Sequence, residues 1–263
     1  KNKMLQEILH GCDWEADAAE TIGLITTFKP HWLIVDHYSI DYRWETEIKK
    51  HCENIFVIDD LADKAHNCKV LLNQNLGHSF QTYQHLVSPA CTLLIGPKYS
   101  LLSPKYRIVR ESCKTRVLPV KSVLVYFGAS DKYHLTQKTV ETITEQFSKL
   151  TIKVVLPRGC IQYDTIKSMK NTNIKLLSNL PDLTSCIKEA DVSIGASGST
   201  SWERCCLGLP TLLVSYAENQ IGIAKTLEVA GACVYVCHHK TGDETKAKLL
   251  NRINTLIYDY KDF

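Results

Sequence analysis

Short apolar runs and longer amphipathic stretches alternate along the whole chain. In the first part the apolar runs are residues 31–36 (HWLIVD), 54–59 (NIFVID), 69–72 and 91–95. Continuous aliphatic runs this short predict strands buried on both faces. Residues 4–28 carry Ala16, Ala18, Ala19, Ile22 and Ile25 at recurrent positions and stop before Pro30, which predicts an amphipathic helix. Residues 42–52 are charged and helical in pattern. A second cycle starts at Ser122, with strands predicted over 122–127, 152–156, 174–177, 191–194, 211–214 and 233–236. Helices are predicted over 136–150, 182–189, 202–207, 219–230 and 246–258; Gly208 and Pro210 stop the short one, and Gly231 stops the one after it. Strands alternating with helices predict an α/β fold, each parallel sheet covered on both faces. Residues 111–121 (ESCKTRVLPVK) are charged, carry one proline and read as a linker, so the expected domains are 1–113 and 114–263.

Composition bounds the possibilities without naming a chemistry. A chain of 263 residues has room for one large or two modest domains, and 44% hydrophobic with 22% charged residues is ordinary for a globular protein. A net charge of +3 is too small to imply nucleic-acid binding. No apolar run reaches the length of a bilayer-spanning helix. The 11 cysteines are odd in number and form no CxxC, and most lie in apolar runs: Cys52, Cys68, Cys91, Cys186, Cys205, Cys206 and Cys233. That usage predicts buried thiols in a reducing, cytoplasmic setting. Cys233, Cys237, His238 and His239 are close in sequence but lack partner ligands at metal-site spacing, so no metal is expected there.

The chemical content concentrates in residues 190–220, ADVSIGASGSTSWERCCLGLPTLLVSYAENQ. A predicted strand runs into Gly195, Ala196, Ser197, Gly198, Ser199, Thr200 and Ser201 without one bulky side chain, and a short helix follows. Such a loop lets backbone N–H groups approach an anion, and a helix N-terminus favours negative charge. The alternative is a plain strand-to-helix turn whose serines cap the helix. The loop is neither GxGxxG nor a P-loop. Glu203 stands three residues after Thr200, placed either to accept the hydroxyl pair of a ribose or to close a capping box. Asn219 and Gln220 follow the next strand and belong to the same carboxyl-end edge, where open α/β sheets bind ligands.

GASGSTSWERCCLGLP (195–210) followed by AENQ (217–220) resembles the nucleotide-sugar hydrolases that cleave UDP-2,4-diacetamido-2,4,6-trideoxy-β-L-altropyranose in pseudaminic acid biosynthesis, relatives of the glycosyltransferase-B and MurG-like enzymes. DHYSIDYRWE (36–45), VIDDLAD (57–63), LLNQN (71–75), LLIGPKYSLLSPKYR (93–107) and VYFGASD (125–131) are similar to that family in the same order. The resemblance implies two Rossmann-like domains facing a cleft, the second holding UDP and the first the sugar. It implies a metal-independent reaction without cofactor, in which water attacks the anomeric carbon and UDP departs. The family opens with a first strand and a Gly-x-Gly-His loop whose His is taken as the base. No such segment occurs here, so the first domain is expected to be incomplete and no catalytic residue is assigned; Asp36 and His37 are the candidates for a base, with His37 read first as fixing its loop through hydrogen bonds.

On the UDP side the resemblance implies the 195–201 loop, with Gly198, Ser199, Thr200 and Ser201, together with Glu203, Asn219 and Gln220. It adds the turn Phe127-Gly128-Ala129-Ser130-Asp131, where Gly128 and Ser130 approach the same phosphates unless the turn only caps a helix. On the sugar side Tyr38, Asn75, Tyr99 and Tyr83 are placed along one wall. Asp59 and Asp60 read as paired strand-end acids in preference to a Mg²⁺ site. The partner implied is a UDP-sugar, with no nucleic acid and no membrane; the oligomeric state is not legible. Two alternatives remain: a glycosyltransferase of the same architecture, and a non-catalytic UDP-binding fragment.

Overall fold

The computed structural model describes residues 13–258 apart from 114, 118, 130 and 240–243, and describes no side chains at 256–258. The chain forms two compact units, Lys1–Leu101 and Leu102–Phe263.

The first unit is built on a four-stranded parallel sheet in the order β1 (Leu33–Val35), β2 (Ile55–Ile58), β3 (Val70–Asn73), β4 (Thr92–Ile95). Helix α1 (Trp14–Phe28) starts where Asp13 accepts from the Glu15 and Ala16 N–H groups and ends at Lys29 in the left-handed region, φ 48°. Both ends thus satisfy backbone groups that a helix leaves open. Helix α2 (Tyr42–Lys49) presents Trp44 and Ile48 to the core, where they join Val35, Ile55, Val57 and Leu71. The Trp44 Nε1 donates to Asp17 at 2.7 Å and pins α2 to α1. A four-residue helix, α3 (Phe80–Tyr83), was not legible in the hydrophobic pattern.

The second unit carries a six-stranded parallel sheet from β5 (Ser122–Tyr126), β6 (Thr151–Val155), β7 (Ile174–Leu177), β8 (Val192–Ala196), β9 (Thr211–Ser215) and β10 (Val234–His238). Its order is β10-β9-β8-β5-β6-β7, so the direction of winding reverses between β5 and β8. Alternate strand residues feed two cores. Val123, Val125, Ile152, Val154, Ile194 and Val214 pack under α5 (Leu135–Gln146) and α10 (Glu244–Tyr258), through Val140, Ile143, Leu249 and Ile253. Leu124 and Val155 point the other way, toward Tyr106, Ile187 and Leu207 on α4 (Pro104–Glu111), α7 (Thr184–Glu189) and the turn after α8 (Thr200–Cys206). Helices α6 (Ile161–Ser168) and α9 (Glu218–Val229) complete the layers.

Helix α4 lies in the compact second unit and packs on α7 and α8, whereas the sequence alone placed the junction beyond it. Among the described residues most thiols in apolar runs are buried, but Cys205 is exposed and Cys206 half-buried, because the outer face of α8 carries them. No helix among the described residues is long and apolar enough to cross a membrane.

Candidate functional site

In an open α/β sheet the crevice for a ligand lies beyond the carboxyl ends of the strands where the order reverses. In the second unit these strands are β5 and β8. After β5 comes Gly128, at φ +94°, a backbone region that side-chain-bearing residues rarely enter. The Tyr216 hydroxyl donates to Phe127 O at 3.2 Å and lies 3.6 Å from where a Cβ on Gly128 would stand. After β8 comes Ser197, whose hydroxyl donates to Gln220 O at 3.0 Å, while Gln220 Oε1 accepts from Tyr216 N–H at 3.1 Å. Tyr216 and Gln220 therefore tie the loops after β5, β8 and β9 into one rim. Ser130 lies outside the described residues.

Within that rim the N–H groups of Gly198, Ser199 and Thr200 make no hydrogen bond to the described chain. Ser199 is exposed and Gly198 and Thr200 are half-buried, so the three amides are open to an anion. Helix α8 has only seven residues, so the loop amides matter here more than a helix dipole. Neither the serine-cap nor the capping-box alternative is formed, since no side chain caps α8. Ser201 departs from its expected place facing a ligand. It is buried, and its Oγ accepts from Arg204 Nη2 at 3.2 Å, so it braces the loop from inside. Gln220 is likewise committed to holding loops together, while Asn219, at the start of α9, is exposed.

Beside the amides opens a cavity of about 470 Å³, whose walls include Tyr106, Tyr126, Leu180, Leu183, Thr200 and Glu203. Burial pushes the Glu203 carboxyl above its ordinary range, partly opposed by the nearby Tyr106 hydroxyl and the Arg204 charge. Burial, then the Glu203 charge, pushes the Tyr106 phenol up in turn. Glu203 Oε2 and the Tyr106 hydroxyl are both buried, and beyond their own mutual contact neither atom has a well-formed hydrogen bond. At the rim, Asp182 accepts from Lys105 Nζ at 2.7 Å and from Thr184 N–H at 2.9 Å; Lys105 and Thr184 hold its pKa down at about 2. Apolar and aromatic walls suit a planar base, an unpaired carboxylate suits a ribose diol, and open amides suit phosphate. The sequence reading named Glu203 and Thr200 but missed Tyr106, Tyr126 and the 179–183 turn. The available signal was the Asn179-Leu180-Pro181-Asp182 turn directly after β7, with Asn179 at φ 53°.

In the first unit, Asp36, His37 and Tyr38 follow β1 and are exposed. His37 Nδ1 accepts from Ser39 N–H at 3.1 Å, a contact that fixes the loop. Tyr38 donates to Asp60 at 3.0 Å. Burial raises the Asp60 pKa, the Tyr38 hydrogen bond opposes that rise, and the Asp59 and Asp36 charges add to it. Asn75 is buried and joins two loops: its N–H donates to Asn73 Oδ1 at 2.9 Å and its Nδ2 to Asp60 O, after β2, at 3.4 Å. Tyr83 corrects an expectation. It is fully buried, bonded to Asp59 and Asn73 at 2.8 Å each, because α3 turns it into the core and away from any sugar wall. Tyr99 is half-buried in a single 3₁₀ turn, with Lys98 Nζ 4.8 Å from its ring centre. No group of acids, cysteines and histidines that could hold a metal occurs among the described residues.

Residues 123–259 match the glycosyltransferase family 28 C-terminal domain. An uncharacterized protein of Methanocaldococcus jannaschii is 24% identical over 78% of this chain and 44% of its own length. The spore coat polysaccharide biosynthesis protein SpsG of Bacillus subtilis is 27% identical over 53% of this chain and 42% of its own. The UDP-2,4-diacetamido-2,4,6-trideoxy-beta-L-altropyranose hydrolase of Campylobacter jejuni is 23% identical over 81% of this chain and 76% of its own. The chain thus spans less than half the length of the first two relatives. Among solved structures, the spinosyn rhamnosyltransferase SpnG complexed with thymidine diphosphate superposes with a TM-score of 0.64 at 13% identity, over 97% of this chain and 72% of that one. MurG of Acinetobacter baumannii gives 0.61 at 16% identity, over 91% and 68%. The fold is that of glycosyltransferase-B and MurG-like proteins.

Proposed function

The chain belongs to the family of the glycosyltransferase family 28 C-terminal domain through residues 123–259, and from that membership we propose that its second unit binds the UDP part of a nucleotide sugar. The observation that carries the reading is the juxtaposition at the β5/β8 reversal of three open amides, Gly198 to Thr200, with a cavity containing the unpaired Glu203 oxygen. The amides and the Gly128 turn take the diphosphate, Glu203 takes the ribose hydroxyls, and the cavity between Tyr126 and Leu180 takes the base. For the sugar we propose Tyr38 and Tyr99 of the first unit; the Asn75 amide is buried and already donates to Asp60 O.

We further propose hydrolysis, with a UDP-linked 2,4-diacetamido-2,4,6-trideoxy sugar as substrate. A water oxygen bonds to the anomeric carbon, the bond from that carbon to the diphosphate oxygen breaks, the water proton passes to a base, and UDP leaves. Fixed N–H dipoles stabilise the charge developing on the diphosphate with little reorganisation. Support comes from the six motifs quoted above and from the Campylobacter jejuni hydrolase, whose match extends over 81% of the chain. Glycosyl transfer to an acceptor is the second reading, favoured by the family match itself. UDP released with water alone supports hydrolysis; release only with an added acceptor supports transfer. UDP binding without either marks a binding module. By calorimetry, Glu203→Ala and Asn219→Ala each weaken UDP binding; unchanged affinity in both removes the nucleotide assignment.

A further inference from the structure

Directly after Glu203 stands a residue whose surroundings make little sense for stability alone. Arg204 is 2% exposed. It makes no ion pair among the described residues, and its Nε and Nη1 have no hydrogen-bond partner. Burial lowers its pKa to about 10, which leaves it charged at neutral pH. A buried charge without a counter-ion is destabilising, and natural cores rarely keep one.

The fold makes room for it deliberately. Gly195 is paired with Tyr126 in the β8–β5 ladder. A Cβ on Gly195 would stand 2.5 Å from Arg204 Nη1 and 2.2 Å from Tyr126 O. The guanidinium therefore occupies the place of a side chain at the point where the sheet reverses. From there Nη2 donates to Ala196 O at 2.5 Å and to Ser201 Oγ at 3.2 Å, one on each side of the loop that holds the three open amides.

We infer that Arg204 is a positioning residue for the pyrophosphate: it clamps both ends of the 197–200 loop, and its charge beneath that loop, in no direct ion pair among the described residues, gains a second opposite charge when the anion is bound. The inference rests on the nucleotide reading above and assigns to the phosphates a group that does not line the cavity. Loop and cation are set before the ligand arrives, so binding requires little rearrangement.

The test is calorimetry of uridine and UDP against the wild-type chain, Arg204→Gln and Arg204→Lys, with folding checked by circular dichroism. The readout is the ratio of the two dissociation constants, which isolates the phosphates. In the wild type UDP binds more tightly than uridine. In Arg204→Gln that advantage falls by about tenfold or more, while uridine affinity changes little, the loss expected for a charge-assisted contact. Arg204→Lys, which keeps the charge, retains most of the advantage. Should the Gln variant not fold, Arg204→Met carries the same expectation. An unchanged ratio in the neutral variants, an equal loss of uridine and UDP, or a Lys variant as impaired as the Gln variant overturns the inference. If the wild type binds neither ligand, it is the nucleotide reading that fails.

Discussion

Replacing Glu203 by Gln separates a ligand-binding carboxylate from a structural one. Its Oε2 is buried without a well-formed hydrogen bond, and burial raises its pKa. Two hydroxyls of a ribose add donors to the Tyr106 hydroxyl that already stands beside it. Gln is nearly the same size but removes the charge and one acceptor. A hydrogen bond to a charged group contributes about 1.5–3 kcal/mol, so UDP affinity in Glu203→Gln falls by about 10- to 150-fold. The control is 2′,3′-dideoxy-UDP, which cannot donate. Wild type and variant bind it almost equally, and the double-mutant cycle assigns the lost energy to the diol.

The sign of the pH effect follows from the same carboxyl. Its folded pKa lies above its unfolded value, so its stability contribution is fully present below the unfolded pKa and is lost as pH rises through the folded one. Ionising the group therefore destabilises the apo fold as pH rises, and Glu203→Gln gains in melting temperature over wild type with rising pH in differential scanning calorimetry without ligand. UDP affinity of the wild type declines on acidification from a higher pH than an ordinary glutamate would give, whereas the Gln profile is flat there. A variant that gains nothing in melting temperature over wild type as pH rises, and binds UDP and the dideoxy analogue with equal loss, refutes the argument.

Two further outcomes concern the frame around the site. Arg116 donates to the carbonyls of Ala190, Leu207, Gly208 and Ile187 at 2.7–3.0 Å, closing the ends of α7 and α8. Arg116→Ala lowers stability by about 2–4 kcal/mol in urea denaturation, from roughly one net kcal/mol per bond, and an unmoved midpoint contradicts this. Asp182, with its pKa lowered from 3.8 to about 2 chiefly by Lys105, contributes stability above the ordinary carboxylate range that fades as pH falls from 3.8 toward 2. Lys105→Met consequently shifts the acid unfolding transition to higher pH, and coincident acid melts rule the pairing out.

Much of this arrangement was legible in the sequence, for a physical reason. Strands buried on both faces must be apolar at every position, as Val123, Leu124 and Val125 are, and so they stand out. Small-residue loops stand out equally, because Gly128 and Gly198 break the surrounding pattern. Helix α4 was hidden by its charge, although Ser103 accepting from Lys105 N–H, with Pro104 first in the helix, is a recognisable start. Helix α6 buries only Gln162 and Ile166 and has almost no apolar stripe to read. Tyr106 and Tyr126 resembled ordinary core residues, and their meeting with Glu203 is a tertiary event. Arg204 was the least legible: a charged residue after a glutamate on a short helix reads as solvent-facing, and only the gap left by Gly195 draws it inside.

The distribution of unmet polar atoms argues that this corner evolved for a ligand. Among the described residues, seven buried side-chain atoms lack a hydrogen-bond partner, and four of them belong to Tyr106, Glu203 and Arg204. Elsewhere in the second unit the unpartnered atoms are two hydroxyls, of Thr136 and Ser193, while the buried ionisable groups are bonded: Asp131 accepts from the Leu135 and Thr136 N–H groups, and Lys153 reaches Glu189 at 2.6 Å. A fold able to do that could also have paired Glu203 with its neighbour Arg204, yet no ion pair joins them. One opens into the cavity, and the other lies under the amide loop. Adjacent opposite charges held apart in a buried corner raise the energy of the empty state. A molecule carrying hydroxyl donors at one end and a pyrophosphate at the other satisfies both charges at once, and a neutral ligand or a simple anion satisfies only one.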